Sequence, residues 1–274
     1  MIQQFQDYLI SLKGYSKKTA EAYGKDLRIF ATWARTNKQD ARWSNITRDD
    51  IDNFVKEQVA AGKTPATTNR YLSSISGLFR YFQREGLTDY NPARYESRRK
   101  RGTHTPNTIP TEQLRTAYEH ADGLAKIAIS IIATTGIRAQ ELLDLQWEDI
   151  DETTGATKIH GKGSKERLVY LSSAQIELLK QYAGGGSHQG TIISSTQRNL
   201  RYELYTALRP FCNAPQLSPH AIRHTMATEA AAHGANVTMI ARTLGHDSIK
   251  TTQIYIDNTL APVKAVCSIN NMFN

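Results

Sequence analysis

Cysteine is nearly missing from these 274 residues: Cys212 and Cys267 are the two present. Their separation fits neither a disulfide framework nor a zinc ligand set, so a crosslinked or metal-stapled scaffold is not expected. Long apolar runs are missing too. The most apolar stretch, Ile127 to Ile137, is interrupted by Ser130, Thr134, Thr135 and Gly136. It is too short to cross a bilayer. The amino end, Met1-Ile2-Gln3-Gln4-Phe5, lacks the basic-then-apolar layout of a secretory signal. These absences point to a reduced, cytoplasmic compartment and to no membrane partner. Internal repeats are absent, and so are carboxylates spaced to hold a metal. What remains is an ordinary globular composition, 39% hydrophobic and 22% charged, long enough to bury the core of one large domain or two small ones.

The net charge of +8 is unevenly placed. Residues 1–101 hold 19 Lys and Arg against 11 Asp and Glu, whereas residues 102–274 hold 15 of each sign. All the excess positive charge therefore lies in the amino-terminal part. A basic domain joined to a neutral one suits a polyanion clamp attached to a catalytic body, although basic chains are also common for solubility alone.

Apolar periodicity predicts helices through the first hundred residues. Phe5, Tyr8, Leu9 and Leu12 recur at helical spacing. Ser16 can cap a helix bearing Ala20, Tyr23, Leu27, Phe30 and Trp33, and Thr47 one bearing Ile51, Phe54, Val55 and Val59 that Gly62 stops. Thr64 or Pro65 begins a fourth, with Tyr71, Leu72, Ile75, Leu78, Phe79 and Phe82 as its buried stripe and an end at Gly86. These stripes are core. The expected exposed faces carry Lys17, Lys18, Lys63, Thr67, Thr68, Arg70 and Arg80. Asn91-Pro92 ends the helical run, and residues 92–110 read as an extended basic linker, either resting on phosphates or merely solvated. From Thr111 helices are expected at Thr111–Ala121, Gly123–Thr134 and Ala139–Leu145. Asp149-Ile150-Asp151 looks like a strand end. Ala156–His160 and Arg167–Leu171 flank Gly161-Lys162-Gly163-Ser164-Lys165 as a small antiparallel hairpin. A helix over Ser173–Tyr182 and three or four more complete the chain, the last over Ile249–Asn258. The fold class expected is mainly α with a small antiparallel β-sheet, in two domains: 1–91 and 111–259, joined by the 92–110 linker and followed by a tail at 260–274.

Arg138 follows Gly136, which permits a sharp turn, and falls in the first turn of the next helix, where an anion is favoured. Glu141, three residues on, can brace a neighbouring group or pair with Arg138. Lys162 sits between glycines at a hairpin tip, with Lys165, Glu166 and Arg167 extending the turn. In Ser218-Pro219-His220-Ala221-Ile222-Arg223-His224, Ser218 caps, Pro219 takes the first helical position, and His220 and Arg223 share a face. His220 and His224 have the i,i+4 spacing of a zinc helix. Against a metal, no glutamate follows His220 and Arg223 would set a cation beside it; His224 is expected to be a packed, hydrogen-bonded core residue. His246 follows Leu244-Gly245, and Tyr255 lies nine residues beyond.

That ordered set resembles the tyrosine recombinase, or λ-integrase, family. The segments that carry it are Thr135-Gly136-Ile137-Arg138-Ala139-Gln140-Glu141-Leu142, Gly161-Lys162-Gly163-Ser164-Lys165-Glu166-Arg167, Leu217 to Thr225, and Leu244-Gly245-His246 through Tyr255. Each is weak alone; their order and spacing together are specific. Ile222 stands where leucine is more usual, an apolar exchange that touches no catalytic group. The resemblance implies a SAM-like core-binding bundle of helices, then a catalytic domain with Arg138, Lys162, His220, Arg223, His246 and Tyr255 as its active site and Glu141 as an accessory acid. It implies double-stranded DNA with paired inverted sites as partner, a homotetramer on two such sites, and a bacterial or phage source. Lys17, Lys63, Thr67, Arg70, Lys165, Arg167, Arg198 and Arg201 are the expected DNA contacts. Because the helical part begins almost at the first residue, no arm-binding domain is expected ahead of it, as in Xer-type resolvases and simple integrases. The apolar tail residues Val263, Val266, Ile269, Met272 and Phe273 are expected to dock on a neighbouring protomer, a floppy tail being the alternative.

The residue types suit phosphoryl transfer without metal or other cofactor. Two guanidiniums can hold nonbridging oxygens, and His246 adds a donor. A phenol of pKa about 10 needs a base or a cationic pocket before it attacks. His220 is the candidate base and Lys162 the candidate acid for the departing 5′ oxygen. Two other readings share the residues: a type IB topoisomerase-like nickase-ligase, and a catalytically silent DNA-binding regulator, which has no need of Tyr255 or Lys162.

Overall fold

The computed structural model describes residues 1–94, 107–161, 166–184 and 189–245. The chain divides into two compact units, Met1–Thr103 and His104–Asn274.

The first unit is helical because its apolar positions recur every three or four residues, and side-chain caps start three of its four helices, α2, α3 and α4. Helix α1 spans Ile2–Ser11, α2 Lys17–Asn37, α3 Arg48–Ala60 and α4 Pro65–Arg84. The Ser16 hydroxyl accepts the Thr19 N–H. Thr47 and Asp50 form a reciprocal capping box. Thr64 accepts the Thr67 N–H, with Pro65 in the first helical position. Helix α4 packs against the other three, and the core it completes includes Phe5, Leu27, Phe30, Ile51, Phe54, Ile75 and Leu78, all fully buried. Phe30 and Phe54 meet edge to face with centroids 5.1 Å apart, a geometry that adds to the burial of the rings.

Three expectations change here. Leu12 lies just past the end of α1 and is 64% exposed, so it is not core. Thr68, expected on the outer face of α4, is fully buried. Its hydroxyl donates back to the Thr64 and Pro65 carbonyls at 3.3 and 3.2 Å, which satisfies it inside. The bundle also runs beyond Asn91: the Asn91 amide donates to Ser76 O at 3.2 Å, and Ala93 is buried in the same core. The expected basic linker is therefore anchored at its start.

In the second unit α5 spans Thr111–His120, α6 Gly123–Thr135, α7 Ala139–Leu143, β1 Ala156–His160, β2 Glu166–Tyr170, α8 Ser173–Ala183, α9 Gln197–Leu208, α10 Pro219–Ala232 and α11 Val237–Leu244. Helix α6 is apolar on every side, and ten of its residues, among them Ile127, Ile129, Ile131 and Ile132, are buried. A helix of that kind belongs in the middle, and α5, α7, α8, α9 and α10 all pack on it. The expected linker is anchored at this end as well. Ile109 is buried, its N–H donating 2.8 Å to Thr225 Oγ1 on α10, and Asn107 donates to Gln216 O. Residues 95–106 lie outside the described residues.

Strands β1 and β2 pair antiparallel with Ala156 opposite Tyr170 and His160 opposite Glu166, as the alternating composition predicts. Asp149–Asp151 is not a strand end: Trp147–Asp149 forms a 3₁₀ turn, and Ile150 makes one isolated bridge to Thr157. Helix α7 stops at Leu143, two residues short of expectation, and β2 begins at Glu166, one residue early. The expected helix over 249–258 and the tail lie outside the described residues. Among the described residues no helix is long and apolar enough to cross a membrane.

Candidate active site

Gly136 ends α6 in the left-handed conformation, φ 64°. That reversal places Arg138 immediately before α7, as its capping residue rather than in its first turn. Ser218 caps α10, its hydroxyl accepting the Ala221 N–H at 3.2 Å, and Pro219 fixes the first turn. Arg138 from one helix start and His220 and Arg223 from another then line a single cavity of about 740 Å³, with Ser218, Gln197 and Arg201 in its wall.

Arg138 and Arg223 are held differently. Arg223 is 3% exposed. Its guanidinium donates to the Gly136 carbonyl and, at 2.5 Å, to the Leu244 carbonyl, which caps the carboxyl ends of α6 and α11 together. Arg138 is 45% exposed at its side chain and donates to Glu141 Oε1 at 2.8 Å and to Gly245 O at 2.9 Å. Its backbone N–H donates to Glu141 Oε2 at 2.7 Å.

Glu141 is 7% exposed. Burial on its own would raise its pKa, but hydrogen bonds from Arg167, then the Arg138 N–H, and the charge of Arg167 outweigh it and bring it to about 2. Arg167 supplies two of those bonds, at 3.0 and 2.6 Å, and its Nε donates to Thr243 O at 2.7 Å. Its side chain is 12% exposed. The Arg167 guanidinium, expected to track DNA backbone, turns inward to a carboxylate and a carbonyl. Strand alternation carries the signal, since Arg167 shares its face of β2 with buried Val169.

His220 stands at the cavity with its ring 4.1 Å from that of His224, edge to face. Its pKa is lowered from the ordinary histidine value, chiefly by the surrounding protein and then by the charges of Arg223 and Arg138. The shift favours the neutral imidazole, the form a base requires. His224 is half-buried rather than fully in the core.

Of the other expected residues, Arg198 and Arg201 are exposed on α9, and Arg201 reaches the cavity. Gln197, not singled out by sequence, lines it as the first residue of α9. In the first unit Lys17, Lys63 and Arg70 are exposed and Thr67 half-buried. Arg70 is also structural, since Nε and Nη2 donate to buried Asp26 at 2.7 and 2.8 Å. Lys162, Lys165, His246 and Tyr255 lie outside the described residues.

Residues 107–261 match the model of the phage integrase family, and residues 2–86 match the phage integrase N-terminal SAM-like domain. The chain is 30% identical to a protein named tyrosine recombinase XerD from Pseudomonas aeruginosa, covering 93% of this chain and 91% of that one. Against tyrosine recombinase XerC of Listeria monocytogenes the identity is 29%, covering 96% and 94%. Among the solved structures that share the fold are two recombinases. One is XerH site-specific recombinase in a post-cleavage complex with palindromic difH substrate, with a TM-score of 0.75 and 21% identity over 94% of this chain and 81% of that one. The other is a lambda integrase dimer bound to a COC′ core site, with a TM-score of 0.73 and 20% identity over 97% of each chain.

Proposed function

Because the chain belongs to the phage integrase family and is a tyrosine-type site-specific DNA recombinase, we propose that Arg138, Lys162, His220, Arg223, His246 and Tyr255 carry its chemistry, with Glu141 behind Arg138. The observation that supports this most directly is the convergence of Arg138, His220 and Arg223, from two distant segments, on one cavity. A phosphodiester there meets the guanidiniums of Arg138, Arg201 and Arg223 and the imidazole of His220. The donors of Arg138 and Arg223 bind the nonbridging oxygens and stabilise the extra charge of the pentacoordinate state.

The Tyr255 phenolic oxygen attacks phosphorus while His220 takes its proton. The bond from phosphorus to the 5′ oxygen breaks, and Lys162 protonates that oxygen as it leaves. His246 donates to a nonbridging oxygen. The product is a 3′-phosphotyrosine that keeps the backbone bond energy, so rejoining needs only a 5′-hydroxyl. Attack by the hydroxyl of a partner strand completes exchange. The partner is double-stranded DNA with paired inverted sites, and four protomers act on two such sites. Lambda integrase supports that assembly, having been solved as a tetramer bound to a Holliday junction. A cytoplasmic location goes with this reading, since the substrate is DNA.

A nicked, radiolabelled duplex bearing the target site tests the assignment. The wild-type protein should form a covalent protein–DNA adduct, and Tyr255→Phe should form none, since it removes the attacking oxygen alone. Two labelled duplexes should then yield recombinant strands. An adduct without exchange would assign a nickase-ligase, and specific binding without an adduct a silent regulator.

A further inference from the structure

We propose that Arg167 is a positioning residue for strand cleavage, setting where Arg138 and the turn before His246 stand while making no DNA contact of its own. This rests on the recombinase mechanism above.

The carboxyl end of α11 presents three successive carbonyls, and a different arginine serves each. Arg167 donates to Thr243 O, Arg223 to Leu244 O and Arg138 to Gly245 O. Helix ends leave such carbonyls without partners inside the helix, and the dipole there favours cations. Two of the three arginines also line the cavity. Arg167 does not; its described bonds run to Glu141 and Thr243. The left-handed turn favours glycine, and the guanidiniums close around it. Gly245 has φ +61°, and a β-carbon on it would meet Arg167 Nη1 at 3.1 Å and Arg138 Nη1 at 3.5 Å.

Arg167 therefore does two things through other residues. It shares the buried charge of Glu141, so the Arg138 guanidinium is not drawn wholly onto that carboxylate and keeps an edge toward the cavity. It also ties β2 to the last turn of α11, which fixes the backbone from which His246 follows. Neither effect needs contact with DNA, so both should appear in the rate of bound complexes and leave affinity alone.

The test uses the full chain and a nicked duplex carrying a site recovered by mapping wild-type covalent adducts across the source genome. Single-turnover cleavage is measured at saturating DNA beside the binding constant. Arg167→Gln should bind within about twofold of wild type and cleave about 10- to 100-fold slower, the range that misplacement of reacting groups produces. Arg167→Lys keeps the charge but not the planar fork that serves two oxygens and a carbonyl together. It should cleave at an intermediate rate, and it stands in if the glutamine variant does not fold. Combined with Glu141→Gln, the loss should be smaller than the product of the single losses, because the pair acts as a unit. Wild-type cleavage by both Arg167 variants would overturn the proposal. So would a loss confined to affinity, which would make Arg167 a DNA contact, or losses that multiply. Failure of the wild-type protein to form any adduct would sink the recombinase mechanism itself, and this proposal with it.

Discussion

Arginine side chains stay charged in proteins, so the pH dependence of cleavage falls to other groups of the cavity. His220 is the described residue placed to report it. A histidine whose pKa is lowered is neutral above that lowered value and charged below it. If neutral His220 is the base, kcat/KM should hold through pH 7 and fall as acid protonates it, with its acid limb below the ordinary histidine value of about 6.5. Replacing His220 by Asn removes the base while keeping a polar group, so the limb should vanish and the rate drop by about 10²- to 10⁴-fold. A limb at or above the ordinary value, or one that survives in His220→Asn, would assign the proton transfer elsewhere.

At the scale of elements, the site is made by helix ends rather than helix faces. Gly136 ends α6 at φ 64°, and a β-carbon there would stand 2.7 Å from Leu244 Cδ2 and 3.3 Å from Met226 Sδ. Gly136→Ala therefore meets two costs, a left-handed alanine at about 1–2 kcal/mol and a displaced Leu244 whose carbonyl Arg223 holds. Gly184 ends α8 at φ 74° with open space around its α-carbon, so Gly184→Ala meets the first cost alone. In urea unfolding Gly136→Ala should lose about 1–3 kcal/mol more than Gly184→Ala, and only Gly136→Ala should slow cleavage. Equal losses in the two variants would mean that Leu244 yields freely. These ends also explain what is legible in the sequence. Ser16, Thr47, Thr64 and Ser218 cap within three residues, so local chemistry predicts every one of those helix starts. Gly136, Arg138, His220 and Arg223 stand out for the same reason. The arginine cap on α11 does not, because it joins Arg138 to Gly245 and Arg167 to Thr243 across 107 and 76 residues, distances that no local pattern encodes. Thr68 is a simpler case. It lies three and four residues before Tyr71 and Leu72, on the buried stripe of α4, and its hydroxyl argues for an outward place although a backbone carbonyl satisfies it inside.

For the whole molecule, charge and chemistry are segregated along the chain. The excess of positive charge lies within residues 1–101, whereas the rest of the chain carries equal numbers of each sign and spends arginines on internal carbonyls and a buried glutamate. Affinity and rate should therefore be separable by mutation. Lys17 and Lys63 are exposed on the first unit, and neutralising both as Lys17→Gln and Lys63→Gln removes charge without touching the cavity of the second. Every phosphate that a lysine no longer neutralises should reduce the slope of log affinity against log salt by about 0.9. The double variant should therefore bind less tightly at every sequence tested and lose up to about 2 from that slope, with specificity between sites kept. Once DNA is saturating its cleavage rate should match wild type, since no group at the phosphorus has changed. Binding measured across a salt series beside single-turnover cleavage decides this. An unchanged slope would remove these lysines from the interface, and a slower saturated rate would show that the basic unit helps to align the reacting strand as well as hold it.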